Sequence, residues 1–90
     1  MKFSYFSDTL FVTKVHVDAV EPEYATSGSA GLDLCSGEDL DLFPGAIAAV
    51  STGLKIQLPV GCYGQITSKS GLALHKRVSV LAGTIDNDYR

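Results

Sequence analysis

The stretch Leu54-Lys55-Ile56-Gln57-Leu58-Pro59-Val60-Gly61-Cys62-Tyr63-Gly64-Gln65-Ile66-Thr67 decides the fold class. Its first five residues alternate apolar and polar, which puts Leu54, Ile56 and Leu58 on the inward face of a half-buried strand. Pro59-Val60-Gly61 is a turn signal, and residues 62–67 resume as a second strand candidate. The pattern repeats outward in both directions. Residues 11–17 alternate, with Phe11, Thr13, Val15 and Val17 on one side and His16 on the more polar face, where it has no assigned role. Residues 46–51 form a short apolar run after the turn signal Pro44-Gly45, and residues 78–84 form another strand candidate. Residues 70–76 alone could hold a helical turn, too short to be stable by itself. Short strands separated by Gly and Pro turns predict an all-β sandwich or barrel. A handful of such strands has open edges, which further chain or a partner subunit must cover.

Composition narrows the function classes. Ninety residues make one domain at most. A chain of that size buries only about 60% of its unfolded surface. Hydrophobic residues are 46% and charged residues 19%, a globular balance. The net charge is -3 with no basic run, which argues against direct binding to nucleic acid. A small polyanionic ligand is still compatible, because a few local donors outweigh a mild net charge. Cys35 and Cys62 make no disulfide framework and lack zinc-site spacing, so both are expected as buried thiols of a reducing, intracellular compartment. Cytoplasm and nucleus are not distinguished. The N-terminal MKFSYFSDTLFVTKV carries Asp8 and Lys14 and has no continuous apolar core, so no secretory leader is expected. No stretch approaches membrane-spanning length, and no membrane partner is expected.

Three loops carry chemistry. Ser27-Gly28-Ser29-Ala30-Gly31-Leu32-Asp33-Leu34 has small residues that let a backbone pass close to a neighbour, or simply a turn before a surface carboxylate. Ser68-Lys69-Ser70-Gly71-Leu72-Ala73 offers a cation, hydroxyls and backbone donors near Gly71 that could cradle phosphate oxygens; it also reads as a solvated loop. In Gly83-Thr84-Ile85-Asp86-Asn87-Asp88-Tyr89-Arg90, a continuing strand would set Asp86 and Asp88 on one side. Such a pair repels unless a cation or polar network compensates. Asp-Asn-Asp is equally a good turn.

Taken in order and spacing, AGLDL, SGLA and GTIDNDYR resemble the motifs of the trimeric dUTPase family. Asp33 and Ser70 lie 37 positions apart and Ser70 and Asp86 lie 16 apart, which suits that family's register. Leu58-Pro59-Val60-Gly61-Cys62-Tyr63-Gly64 also resembles the family's approach to its second motif. The likeness covers residues 12–90. The related dCTP deaminases share the fold, but their third motif lacks the pair seen at Asp88-Tyr89.

The resemblance implies a dUTPase-like jelly-roll or β-clip barrel, incomplete in this chain, over residues 1–90. It implies hydrolysis of dUTP to dUMP and pyrophosphate with Mg²⁺, by water attack on the α-phosphorus, in a homotrimer. Asp86 matches the carboxylate that orients and deprotonates the water. Ser70 matches the hydroxyl that contacts the phosphate chain near the breaking bond, with Lys69 and Gly71 beside it. Gly83 matches the hairpin whose backbone reads the uracil edge. Tyr89 matches the aromatic under the deoxyribose, which leaves no room for a 2′-hydroxyl. Asp33 matches the first-motif carboxylate that helps hold Mg²⁺ through water. His75, Lys76 and Arg77 read as solvated loop. Family members usually have Pro-Arg where this chain has Ser68-Lys69, and lysine loses the planar bidentate fork. They also continue past this point with further strands, a fourth motif and a Gly-rich arm. The chain is therefore expected to end inside a strand, and a truncated, non-catalytic nucleotide-binding or interaction module is the alternative function.

Overall fold

The structure, a computed structural model, describes residues 9–89; the N-terminal residues 1–8 read for a leader, and Arg90, lie outside them. The chain divides into two compact units, one spanning Leu10–Gln57 and one built on Leu58–Arg90.

In the first unit, β1 (Phe11–Lys14) pairs antiparallel with β2 (Leu54–Gln57). The register sets Val12 opposite Ile56 and Lys14 opposite Leu54. In β2 the alternation is realised as expected: Leu54 and Ile56 are half-buried while Lys55 and Gln57 face solvent. β1 presents the opposite face from the larger set of apolar residues. Val12 is its half-buried position, and Phe11 is 60% exposed. The cross-strand partner decides this, because Val12 must share a face with Ile56. β1 also stops short of Val17. Val15 N–H still reaches the Gly53 carbonyl at 2.9 Å, but the chain then turns, with Ala19 N–H donating to the His16 carbonyl at 3.1 Å.

That turn builds the centre of the unit. Ala19 is the one buried hydrophobic residue among those described. It lies against Gly53, which has φ +71°, where an added Cβ would stand 3.0 Å from the Ala19 Cβ and 3.1 Å from the His16 Cβ. Residues 20–50 form a long excursion held by local bonds. Glu23 and Asp33 form an isolated antiparallel bridge. Pro44-Gly45 turns as expected, with Gly45 at φ +79° and Ala46 N–H donating to the Phe43 carbonyl at 2.9 Å. The strand expected over 46–51 does not form. Gly37 N–H donates to the Ser51 carbonyl at 2.7 Å, but no ladder runs along the segment, and Ile47 is 82% exposed. An apolar run without a pairing partner gains nothing from extension.

In the second unit, β3 (Gly64–Gln65) pairs antiparallel with β4 (Thr84–Ile85), Gly64 opposite Ile85 and Gln65 opposite Thr84. Between them lies α1 (Ser70–Lys76), the helix the sequence allowed. It closes at Arg77, a left-handed residue at φ 55°, and the N–H groups of Arg77 and Val78 turn back on the Leu72 carbonyl. Both expected strands shrink to two residues. Pro59-Val60-Gly61-Cys62 occupies the entry to β3 with a turn, Gly61 at φ +81° and Cys62 N–H on the Pro59 carbonyl at 3.1 Å. Ala82 at φ +53° interrupts extension just before β4. The result is a β-fold in which each unit is built on one short antiparallel pair, with α1 the one helix among the described residues. No helix among the described residues is long and apolar enough to cross a membrane. The expectation of buried thiols is corrected: both cysteines are free, but Cys35 is exposed and Cys62 only half-buried, because each lies in a connection rather than within a strand.

Gly53→Ala should lower the unfolding free energy by about 1–3 kcal/mol, combining left-handed backbone cost with the Ala19 and His16 contacts. Gly45→Ala carries the backbone cost alone, since a Cβ there meets nothing within 4 Å. Urea midpoints of the two variants check this, and equal losses would remove the packing role of Gly53.

Candidate functional site

The second unit contains most of the residues singled out, Lys69, Ser70 and Gly71 on one stretch and Gly83, Asp86 and Tyr89 on another. Gly83 is half-buried and sits where β4 meets the segment after β3. Its carbonyl accepts from Ile66 N–H at 2.8 Å. An added Cβ would collide with the Ile66 carbonyl oxygen and stand 3.0 Å from its carbon. Glycine is therefore required here by the approach of two backbones. On the exposed face of the same ladder, Thr84 Oγ1 donates to Gln65 Oε1 at 3.0 Å.

Beyond Ile85 the strand does not continue. Residues 86–89 form a turn, with Tyr89 N–H donating to the Asp86 carbonyl at 3.1 Å. The same-side placement of Asp86 and Asp88 is thereby replaced by the turn. Asp and Asn favour this geometry because their short polar side chains bond locally to backbone. Asp86 and Tyr89 occupy its two ends, both exposed, Tyr89 by 72%. Asn87, between them, reaches across the unit. Its side-chain amide donates to the Pro59 carbonyl at 2.9 Å and to the Cys62 carbonyl at 2.7 Å.

Lys69, Ser70 and Gly71 stand at the start of α1, all exposed. Lys69 is the N-cap, extended at φ -79°, ψ 125°, with no side-chain cap bond, and its carbonyl accepts from Ala73 N–H at 2.9 Å. A Cβ at Gly71 would meet nothing within 4 Å, so the protein's own packing does not demand that glycine. Ser68 Oγ accepts from Val80 N–H at 3.0 Å, which ties the residue before Lys69 to the segment leading into Gly83.

Asp33 belongs to the first unit. It is half-buried, and its N–H donates to the Glu23 carbonyl at 2.8 Å. The small residues before it serve a turn. Ser29 N–H donates to the Thr26 carbonyl at 3.2 Å, the Ser29 hydroxyl accepts from Thr26 N–H at 3.0 Å, and a Cβ at Gly28 would meet nothing within 4 Å. Among the described residues no three His, Cys, Asp or Glu side chains form a metal-binding cluster. Asp33 thus offers one hard oxygen donor group. That fits Mg²⁺, which keeps most of its waters and takes substrate phosphate oxygens.

Sequence reasoning passed over Ser68 and Asn87. Both act by side-chain hydrogen bonds to distant backbone, for which the sequence carries no periodic signal; the turn propensity of Asp-Asn-Asp was the one trace of Asn87's role.

The dUTPase family model matches residues 18–90. The chain belongs to the dUTPase family. It is 51% identical over 84 residues to a deoxyuridine 5′-triphosphate nucleotidohydrolase of Hydrogenobaculum sp. (strain Y04AAS1), covering 90% of this chain and 58% of that protein. Its likeness to the protein of the same name from Avian adenovirus 8 is 49% over 72 residues, 80% of this chain and 44% of the relative. With that of Paramecium bursaria Chlorella virus 1 it is 44% over 82 residues, 91% and 58%. The chain spans about half the length of the curated relatives it matches. Within this dUTPase-family chain, the β3–β4 ladder and the 86–89 turn are the local frame for the third motif.

Gly83→Ala should break the Ile66–Gly83 contact and cost about 2 kcal/mol or more. Amide exchange of Ile66 in the variant checks it; retained protection would show that the backbones separate without consequence.

Proposed function

We propose that this chain carries the first three motifs of a dUTP diphosphatase, converting dUTP and water to dUMP and pyrophosphate. The observation that supports it most is the 86–89 turn. It presents a carboxylate and an aromatic ring from one closed backbone element, directly after a ladder that requires glycine at Gly83. The relatives' name, deoxyuridine 5′-triphosphate nucleotidohydrolase, supports the substrate.

In this reading the Asp86 carboxylate accepts a proton as the water oxygen bonds to the α-phosphorus. The bond from that phosphorus to the bridging oxygen breaks, and pyrophosphate leaves. A fixed carboxylate suits this task, since a general base must lie within hydrogen-bond reach of its proton. The Ser70 hydroxyl donates to phosphate oxygens near the breaking bond, and Lys69 adds positive charge. Gly71, without a side chain, leaves backbone open to the phosphate chain. Backbone groups at Gly83 face the uracil edge. The Tyr89 ring packs under deoxyribose and rejects a 2′-hydroxyl by shape. Asp33 would hold Mg²⁺ through water; when bound, the ion neutralises charge on the phosphate chain. The active assembly in this reading is a homotrimer; the unpaired edges of the two-stranded pairs and exposed apolar side chains such as Phe43 and Leu74 are surface for further chain or a partner subunit to cover. The two free thiols support a reducing compartment.

Pyrophosphate release from dUTP with Mg²⁺, against UTP, dTTP and dCTP, tests the reading. Selective dUTP turnover is expected; dUTP binding without turnover would point instead to a nucleotide-binding module. Asp86→Asn should reduce kcat at least about a hundredfold while retaining dUTP affinity, because the amide keeps the shape but cannot take the proton. Undiminished turnover would remove Asp86 as the base. Tyr89→Ala should raise kcat/KM for UTP relative to dUTP; an unchanged ratio would move sugar discrimination elsewhere.

A further inference from the structure

We infer that Asn87 is a positioning residue whose side-chain amide sets the turn that presents Asp86 and Tyr89. The inference rests on the functional reading above for its consequence, and on the hydrogen bonds alone for its geometry.

The ladder register makes the point. Gly64 is opposite Ile85, so a continuing antiparallel pairing would bring Asn87 opposite Cys62. Asn87 does meet Cys62, but through its side chain: Nδ2 donates to the Cys62 carbonyl at 2.7 Å and to the Pro59 carbonyl at 2.9 Å. The amide group therefore takes the place of a backbone donor. The main chain is released from the ladder and turns, with Tyr89 N–H on the Asp86 carbonyl at 3.1 Å. Both acceptors lie at the two ends of another turn, closed by Cys62 N–H on the Pro59 carbonyl. One side chain thus fastens two turns at the same end of the β3–β4 pair. It spends both its N–H groups doing so, and an amide is the neutral group that carries two donors on one nitrogen. Asp86 and Asp88 flank it and offer acceptors only when ionised, so neither can replace it. Each bond spans 25 residues or more of chain, which makes this a tertiary clamp rather than a local turn preference.

The test compares wild type with Asn87→Ala and with Asn87→Asp, which keeps the shape but replaces the donors by a carboxylate. Tyr89 amide exchange and the carbonyl ¹³C shifts of Pro59 and Cys62 report the clamp without any need for activity. Steady-state dUTP hydrolysis reports its consequence. In both variants Tyr89 N–H should exchange about tenfold faster or more, from loss of two charge-neutral hydrogen bonds. Both carbonyl resonances should shift, while Ala73 N–H within α1 keeps its protection. kcat should fall by about tenfold or more, as expected when a reacting group is misplaced, with a smaller change in KM. Unaltered Tyr89 exchange, a uniform acceleration that includes Ala73, or undiminished kcat in an active protein would each overturn the proposal. If wild type does not hydrolyse dUTP, the functional reading fails for this chain, and the clamp stands or falls on exchange and carbonyl shifts. Should Asn87→Ala not fold, Asn87→Ser retains one donor and should show an intermediate exchange rate; wild-type exchange in that variant would equally overturn the clamp.

Discussion

The backbone of Gly83 approaches that of Ile66 more closely than any residue with a side chain permits. The rest of the second unit depends on that approach. Ile66 N–H on the Gly83 carbonyl continues the two-residue ladder of β3 and β4 by one further bond. A ladder so short is marginal by hydrogen bonding alone. Its geometry is held because it is fastened on both sides of the pairing: Ser68 Oγ takes Val80 N–H at one end, and the Asn87 amide takes two carbonyls at the other. Those fastenings add little energy each, on the order of 1 kcal/mol net. Their effect is to leave one backbone course open between residues 80 and 89, the course along which the third motif lies.

The first unit uses the same device. Gly53 sits against Ala19 and His16, and Gly37 stands so near the Thr52 carbonyl that a Cβ would be 2.8 Å from its carbon. Close backbone approach at glycine takes the place that interlocking side chains take in a larger domain. Ala19 is a small residue and removes little apolar area from water, while Val17 and Val60 are at least 90% exposed. Burial stabilises by about 25 cal/mol per Å² of apolar surface, so these side chains contribute little until something covers them. The apolar composition that marks the sequence as globular is therefore largely unspent within the two units, and further chain or a partner subunit has to cover it.

Legibility followed the length scale of the interaction. β2 was readable because Leu54 and Ile56 alternate with Lys55 and Gln57, a pattern local to four residues. α1 was readable because its bounds are set by adjacent residues. The face of β1 was not, because the choice between Phe11 and Val12 is made by Ile56, more than forty residues on. The run 46–51 has strand composition but no partner, and composition cannot say whether a partner exists. At the candidate site, Asp86, Ser70 and Tyr89 were singled out by the spacing of motifs, a signal of family likeness rather than of packing. The turn at 86–89 was visible only as one of two options, since Asp-Asn-Asp supports extension or reversal. What selects reversal is Asn87 bonding to Pro59 and Cys62, a decision made by groups remote in sequence.

The departure at Ser68-Lys69 acquires a meaning from the same logic. The resemblance sets proline where Ser68 stands, and proline fixes φ by its ring. Serine leaves the dihedral free but brings an oxygen, and that oxygen accepts Val80 N–H at 3.0 Å. Restraint by a ring is exchanged for restraint by a contact across twelve residues. The two are not equivalent. A ring acts in the unfolded chain as well, whereas the contact exists only when the segment before Gly83 is in place. The entry to the Ser70 motif is thereby made dependent on the approach to the Asp86 motif. Lys69, next in sequence, inherits this dependence; in the proposed function its compact charge would meet phosphate without the planar fork of an arginine. The backbone at Lys69 is extended at the N-cap of α1 and follows the Ser68 bond by one residue.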